Sequence, residues 1–126
     1  MRVISIFIIA LCSIAPFGSC KKDNTVNHEV QIRIFNSTSL VFYDCTVDPG
    51  GSAHNYGQVN SAANSDYHTF PMAYRYASIK LTMNNKIYNL QPYDYTGETA
   101  LISGKYTYQI GYVTATDNLS LELKVD

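Results

Sequence analysis

From Glu29 onward the chain alternates apolar and polar residues in short runs, separated by clusters of Gly, Pro, Asn, Asp and Ser. A period of two over several residues is the pattern of a strand with one buried face. The first run, residues 29–35, sets Val30, Ile32 and Ile34 against Gln31 and Arg33, and Asn36-Ser37-Thr38-Ser39 turns the chain. Residues 40–47 put Val41, Tyr43, Cys45 and Val47 on one side and Leu40, Phe42, Asp44 and Thr46 on the other, before a break at Asp48-Pro49-Gly50-Gly51-Ser52. Residues 54–59 and 66–70 are weakly apolar and predict two short edge strands. The clearest pattern is residues 75–83, where Ala77, Ile79, Leu81 and Met83 alternate with Tyr76, Ser78, Lys80 and Thr82. Asn84-Asn85 suits a two-residue hairpin turn, because asparagine tolerates positive φ. Residues 86–91 return with Tyr88 and Leu90 on one face, and a loop follows over residues 92–99. Residues 105–113 align Tyr106, Tyr108, Ile110 and Tyr112, and residues 119–125 close with Leu119, Leu121, Leu123 and Val125. About seven strands at this spacing, with no helical periodicity among them, predict an all-β domain, a single antiparallel β-sandwich. A small β-barrel is the competing architecture.

The first residues follow another pattern. Arg2 precedes an apolar run from Val3 to Ala15, interrupted only by Ser5 and Ser13, and Pro16 ends it. These are the charged and apolar regions of a secretory signal, with an apolar run shorter than the roughly 20 residues of a membrane span. Phe17-Gly18-Ser19-Cys20 comes next, followed by Lys21-Lys22-Asp23-Asn24. Small residues directly before a cysteine at this point resemble the lipobox of bacterial lipoproteins. The Ser-Cys-Lys-Lys-Asp run is similar to lipoproteins of the Bacteroidota, with Phe17 where the usual lipobox has Leu. The resemblance implies cleavage before Cys20, acylation of its thiol, and attachment to a membrane of the cell envelope, the outer one, on its periplasmic or surface face. Three segments are then expected: a signal peptide over 1–19, a lipid anchor and polar tether over 20–28, and the β-sandwich domain over 29–126. A plain signal peptide cut after Ser19 and an uncleaved anchor helix are the competing readings.

Leu101-Ile102-Ser103-Gly104-Lys105-Tyr106 fits a Leu-x-x-Gly-x-Tyr pattern. It resembles the tyrosine corner that enters the penultimate strand of immunoglobulin-like and fibronectin-III-like domains, and implies a phenol bonded to backbone upstream. Tyr108 stands where the immunoglobulin pattern has a cysteine, so no intersheet disulfide is implied. Residues 30–76 also show a loose likeness to small Bacteroidota envelope proteins, through Tyr56-Gly57-Gln58-Val59 and Ser65-Asp66-Tyr67.

Composition narrows the function classes. Nine Lys and Arg against ten Asp and Glu among 126 residues leave no basic stripe, which excludes nucleic acid as the expected partner. Of three cysteines, Cys12 leaves with the signal, Cys20 is the lipid attachment residue, and Cys45 lies in an alternating segment and is expected to be a buried, inert thiol. His28, His54 and His68 have no metal-ligand spacing, and no Gly-x-Ser-x-Gly, phosphate-loop or His-Glu-x-x-His motif occurs. No catalytic residue, metal or cofactor is expected. Asp44, Asp66, Asp94 and Glu98 are the carboxylates from which a glycosidase pair would be drawn, and so short a domain offers little cleft, so the chain is not read as an enzyme.

The 11 tyrosines, in a chain without tryptophan, point to surface recognition instead. Gln91-Pro92-Tyr93-Asp94-Tyr95-Thr96-Gly97-Glu98 places two tyrosines around a carboxylate in a loop stiffened by Pro92. Tyr93, Asp94, Tyr95 and Glu98 are the candidate ligand-binding residues, an aromatic platform beside acceptors that suits a sugar or a peptide. The alternative is structural: the rings cover the end of the core and the carboxylates cap turns. Tyr67, Phe70, Tyr74 and Tyr76 form a second aromatic group, read either as a partner surface or as half-buried rim residues. The expected function is a lipid-anchored, non-catalytic binding or assembly module with a glycan, a peptide or an envelope protein as partner. A structural accessory subunit and a small hydrolase are the alternatives.

Overall fold

Which residues turn inward is set by the alternation, and which strands meet is set by where the resulting apolar faces can close on one another. The computed structural model describes residues 29–126; the signal segment 1–19, Cys20 and the tether to residue 28 lie outside the described residues. Eight strands follow in order: β1 (Val30–Asn36), β2 (Tyr43–Asp48), β3 (His54–Asn55), β4 (His68–Phe70), β5 (Ser78–Met83), β6 (Lys86–Leu90), β7 (Gly104–Val113) and β8 (Asn118–Val125). They form two four-stranded sheets, β4-β1-β7-β8 and β3-β2-β5-β6, packed face to face. The domain is a β-sandwich, and the barrel alternative does not hold because neither sheet closes.

Val30, Ile32 and Ile34 of β1 are wholly buried, as are Ile79 of β5 and Tyr108 and Ile110 of β7. The alternation is kept throughout β1 and β5, and in β7 the expected inward face holds as far as Ile110, while Tyr112 is exposed and Thr107 is buried. Burying one such apolar side chain stabilises the fold by about 1.5–3 kcal/mol. Asn84 and Asn85 both take positive φ, 51° and 60°, in the two-residue turn between β5 and β6. A turn of that kind matches the right-handed twist of the flanking strands. The Tyr106 hydroxyl donates to the carbonyl of Ile102 at 2.8 Å, the bond implied by the tyrosine-corner pattern.

Three larger features depart from the sequence expectation. The sandwich is not antiparallel throughout: β1 runs parallel to β7, from Val30 opposite Gly104 to Asn36 opposite Ile110. Alternation carries no information on strand direction, and a parallel pair needs only a long connection, which the chain between β1 and β7 supplies. The tyrosine corner therefore sits in a strand flanked by β1 and β8, an order different from that of immunoglobulin sheets. In the second run the inward set is Phe42, Cys45 and Val47, while Tyr43 is exposed. Asp44 takes a φ of 49° and the register with β5 shifts between Tyr43 and Thr46, and a bulge of this kind flips the side-chain parity. Finally, the strand expected over 54–59 shrinks to His54–Asn55 and a single bridge of Phe42 to Val59, with Gly57 at a φ of 72° between them.

Asn36 joins these pieces. It is wholly buried, and its amide donates to the carbonyls of Leu40 at 2.7 Å and Val59 at 3.0 Å. Its Oδ1 accepts from the Thr38 amide at 2.9 Å and the Thr38 hydroxyl at 2.7 Å. The side chain thus fixes the turn after β1 and ties it to the other sheet. Cys45 is buried and free, and burial pushes its thiol up to about 12, which makes it inert. Asn36→Ala removes four hydrogen bonds, two to the Leu40 and Val59 carbonyls and two from Thr38, and leaves the Thr38 amide without its acceptor. Its expected cost is about 3 kcal/mol in urea unfolding. Ser37→Ala removes one hydroxyl bond to the Ile110 carbonyl, which keeps the Ser37 amide as a donor, and the expected loss there is under about 1 kcal/mol.

Candidate functional site

The loop after β6 divides its residues between core and solvent. Pro92 is half-buried and turns the chain outward. Tyr95 returns inward: its ring stacks on Tyr74 with centroids 4.6 Å apart and planes at 19°, and its hydroxyl donates to the Asp48 carbonyl at 3.3 Å. Burial, and secondarily the Asp48 charge, raise its phenol above the ordinary value. Tyr74 is fixed in turn, because its amide donates to the Pro49 carbonyl at 2.9 Å and its own carbonyl accepts from the Tyr108 hydroxyl. Gly50 allows this fit: its φ is 141°, and a Cβ there would come within 2.4 Å of the Tyr74 ring.

Asp94 Oδ1 accepts from the Thr96 amide at 3.0 Å, and the Glu98 amide donates to the Tyr95 carbonyl at 3.0 Å, which holds the loop in shape. Tyr93 packs on nothing in the domain and is fully exposed. The expected Tyr93–Tyr95 platform is therefore not formed. Tyr95 takes the structural role, while Tyr93, Asp94 and Glu98 come together with Tyr76 and Pro92 around a notch of about 270 Å³. Tyr76, 47% exposed, supplies the second ring. Sequence reasoning placed it in the other aromatic group, although its parity opposite to the buried Ala77 was the signal that it faces out.

Two further hollows adjoin the notch. One of about 230 Å³ shares Tyr76 and Pro92 with it and is walled by Ser120 and Leu121 of β8. Another of about 490 Å³ shares Glu98 and is walled by Leu123 and Val125 of β8, with Arg75 also on its wall.

The second aromatic group is dispersed. Phe70 is core, Tyr74 carries Tyr95, and the Tyr67 ring has Arg33 at 5.0 Å and Lys105 at 5.1 Å over it, its hydroxyl donating to Asp126 at 2.5 Å. Of the four carboxylates considered, Asp94 and Glu98 share the notch, Asp44 sits in the β2 bulge, and Asp66 lines a separate hollow beside His54. His54 of β3 and His68 of β4, which belong to different sheets, stack with centroids 3.6 Å apart and planes at 6°. The pair closes the seam where the edges of the two sheets meet, with the rings of Tyr56 and Phe70 edge-on beside it. Among the described residues no group of three or more His, Cys, Asp or Glu side chains is arranged to hold a metal ion.

No family model matches the chain, and no curated protein matches it. Among solved structures, an NMR structure of a protein from Eubacterium rectale is similar to it at 10% identity and a TM-score of 0.48, over 80% of this chain and 91% of that one.

The histidine stack generates a pH dependence. Burial, and then the charge of His68, hold His54 below the ordinary imidazole value. Asp66 is the carboxylate that lines the same hollow. The unfolded chain therefore takes up protons near about pH 6.5 before folded His54 does, and the stability present above that pH is lost as pH falls through the lowered value. The melting temperature is expected to drop between about pH 7 and pH 5, and to drop less in His54→Phe, which keeps a ring in the stack. Identical pH profiles for the two proteins would contradict this.

Proposed function

We propose that this protein is a lipid-anchored, non-catalytic binding module of the bacterial envelope, held to the outer membrane through Cys20. Its recognition site is the notch of Tyr76, Pro92, Tyr93, Asp94 and Glu98. The observation that carries the reading is Tyr93, a large ring held fully in water at the tip of a loop whose other tyrosine is anchored. An ordered loop with one unused aromatic ring, a second half-exposed ring and two carboxylates offers stacking area at little entropy cost, with acceptors for hydroxyl or ammonium groups. A glycan, a peptide or a segment of another envelope protein has the groups to fill it. Asp94 already accepts a backbone bond in its turn, which supports a binding role for it over an acid–base one. The anchor rests on the lipobox-like Phe17-Gly18-Ser19-Cys20 segment and the polar residues after it. Acyl chains of that kind hold a protein to a bilayer at about 0.8 kcal/mol per buried methylene.

One experiment with two arms tests the proposal. Cells fed a radioactive fatty acid are expected to label the wild-type chain and not Cys20→Ala; label in the variant overturns the anchor. On glycan and peptide arrays, retention of the protein is expected to be abolished by Tyr93→Ala and by Tyr76→Ala, with the melting temperature moved by no more than about 2 °C. Retention unchanged in both variants overturns the site.

A further inference from the structure

The notch does not stand alone, and its neighbours follow one strand. β8 is the outermost strand of its sheet and forms a ladder with β7 only, while β6 of the other sheet lies against it. The amide of Asp126 donates to the Lys105 carbonyl at 3.1 Å, which continues the β7–β8 ladder. Ladder bonds of an antiparallel pair fall on alternate residues, so Leu121, Leu123 and Val125 turn their N–H and C=O groups away from β7. The Leu119 amide on that same side is already taken by the Asn118 side chain at 2.8 Å. Leu121 and Leu123 are only partly covered, and Val125 is 78% exposed. The two hollows beside the notch are walled by these residues in sequence, Leu121 in the first and then Leu123 and Val125 in the second. The notch opens between them on the loop side, through Tyr76 and Pro92 to one and Glu98 to the other.

Resting on the notch as the recognition site, we propose that its ligand is an extended peptide segment that adds as a further strand along β8. Alternate side chains of that segment enter the two hollows, and a basic side chain between them enters the notch. Strand addition draws affinity from main-chain bonds to an open edge and specificity from pockets that take every second side chain, and β8 offers both. The charge follows from Asp94 and Glu98, which line the notch while no described cation forms an ion pair with either. Lys124, the basic residue of β8 itself, is already paired with Glu122 at 3.0 Å. Tyr76 and Tyr93 then flank the aliphatic stem of the incoming lysine or arginine and add a cation–π contact.

The probe is a capped nonapeptide of alternating leucine and serine with a central lysine, titrated into the full chain in detergent micelles. Its counterparts carry a central glutamate, or N-methyl groups on the odd or on the even residues. The lysine peptide is expected to bind at least about tenfold more tightly than the glutamate peptide, a preference lost in the Asp94→Asn, Glu98→Gln double variant. N-methylation of one parity is expected to abolish binding and of the other parity to leave it, because only one set of amides faces β8. Equal binding of lysine and glutamate peptides, binding of none of them, or indifference to the parity of N-methylation overturns the proposal. If no peptide binds and a glycan is retained in a Tyr93-dependent way, the strand track fails while the notch stands.

Discussion

Every other element takes its place from the parallel pairing of β1 with β7. β1 buries Val30, Ile32 and Ile34 completely, and β7 buries Tyr106, Tyr108 and Ile110 beside them. Two strands so apolar on one face belong at the centre of their sheet, which leaves β4 and β8 as its edges. The two edges are handled differently. β4 has only three residues, and its His68 stacks against His54 across the seam, so little backbone is left open there. β8 has eight residues and no second ladder partner, and β6 of the other sheet is its neighbour across the sandwich. The long open edge and the notch beside it are thus both consequences of which strand occupies the centre.

The tyrosines divide by what their hydroxyls reach. Tyr56 donates to the Ile32 carbonyl at 2.7 Å, Tyr106 to Ile102 at 2.8 Å, and Tyr108 to Tyr74, so each of these three rings ends on a backbone acceptor at the margin of the core. A buried phenol that finds an acceptor adds apolar area without leaving a polar group unsatisfied. A second arrangement ties the two hairpins: Asp117 accepts from Tyr112 at 2.6 Å and Tyr88 at 3.2 Å and pairs with Lys86. Hydrogen bonds from Lys86 and Tyr112 hold its carboxyl down at about 2, while the bond to Asp117 pushes the Tyr112 phenol up to about 12. Against that background Tyr93 stands out, because its ring is committed to nothing.

Local pattern made much of this fold legible. The inward sets of β1, β5 and β7, the asparagine turn and the tyrosine corner all depend on residues close in sequence, and alternation or turn chemistry reports them directly. What was not legible is non-local. The parallel direction of β1 depends on a partner some seventy residues away, and the inversion of Phe42 and Tyr43 depends on Asp44 entering the left-handed region. An aspartate adopts that region more readily than most residues, but alternation alone does not reveal it. The loop was identified and its pair of rings was not: Tyr95 is drawn inward by Tyr74, and Tyr76 takes the position beside Tyr93. The histidine stack, made by residues of two different sheets, leaves no periodic trace.

The centre and edge assignment is tested most directly by amide hydrogen exchange along β8 in the full chain, read residue by residue by NMR. In the free protein the amides of Leu121, Leu123 and Val125 are expected to exchange at least about a hundredfold faster than those of Ser120, Glu122 and Lys124, which bond to β7. Equal protection of the two sets would mean that the outer edge of β8 is already paired, and would contradict an edge left open for a partner.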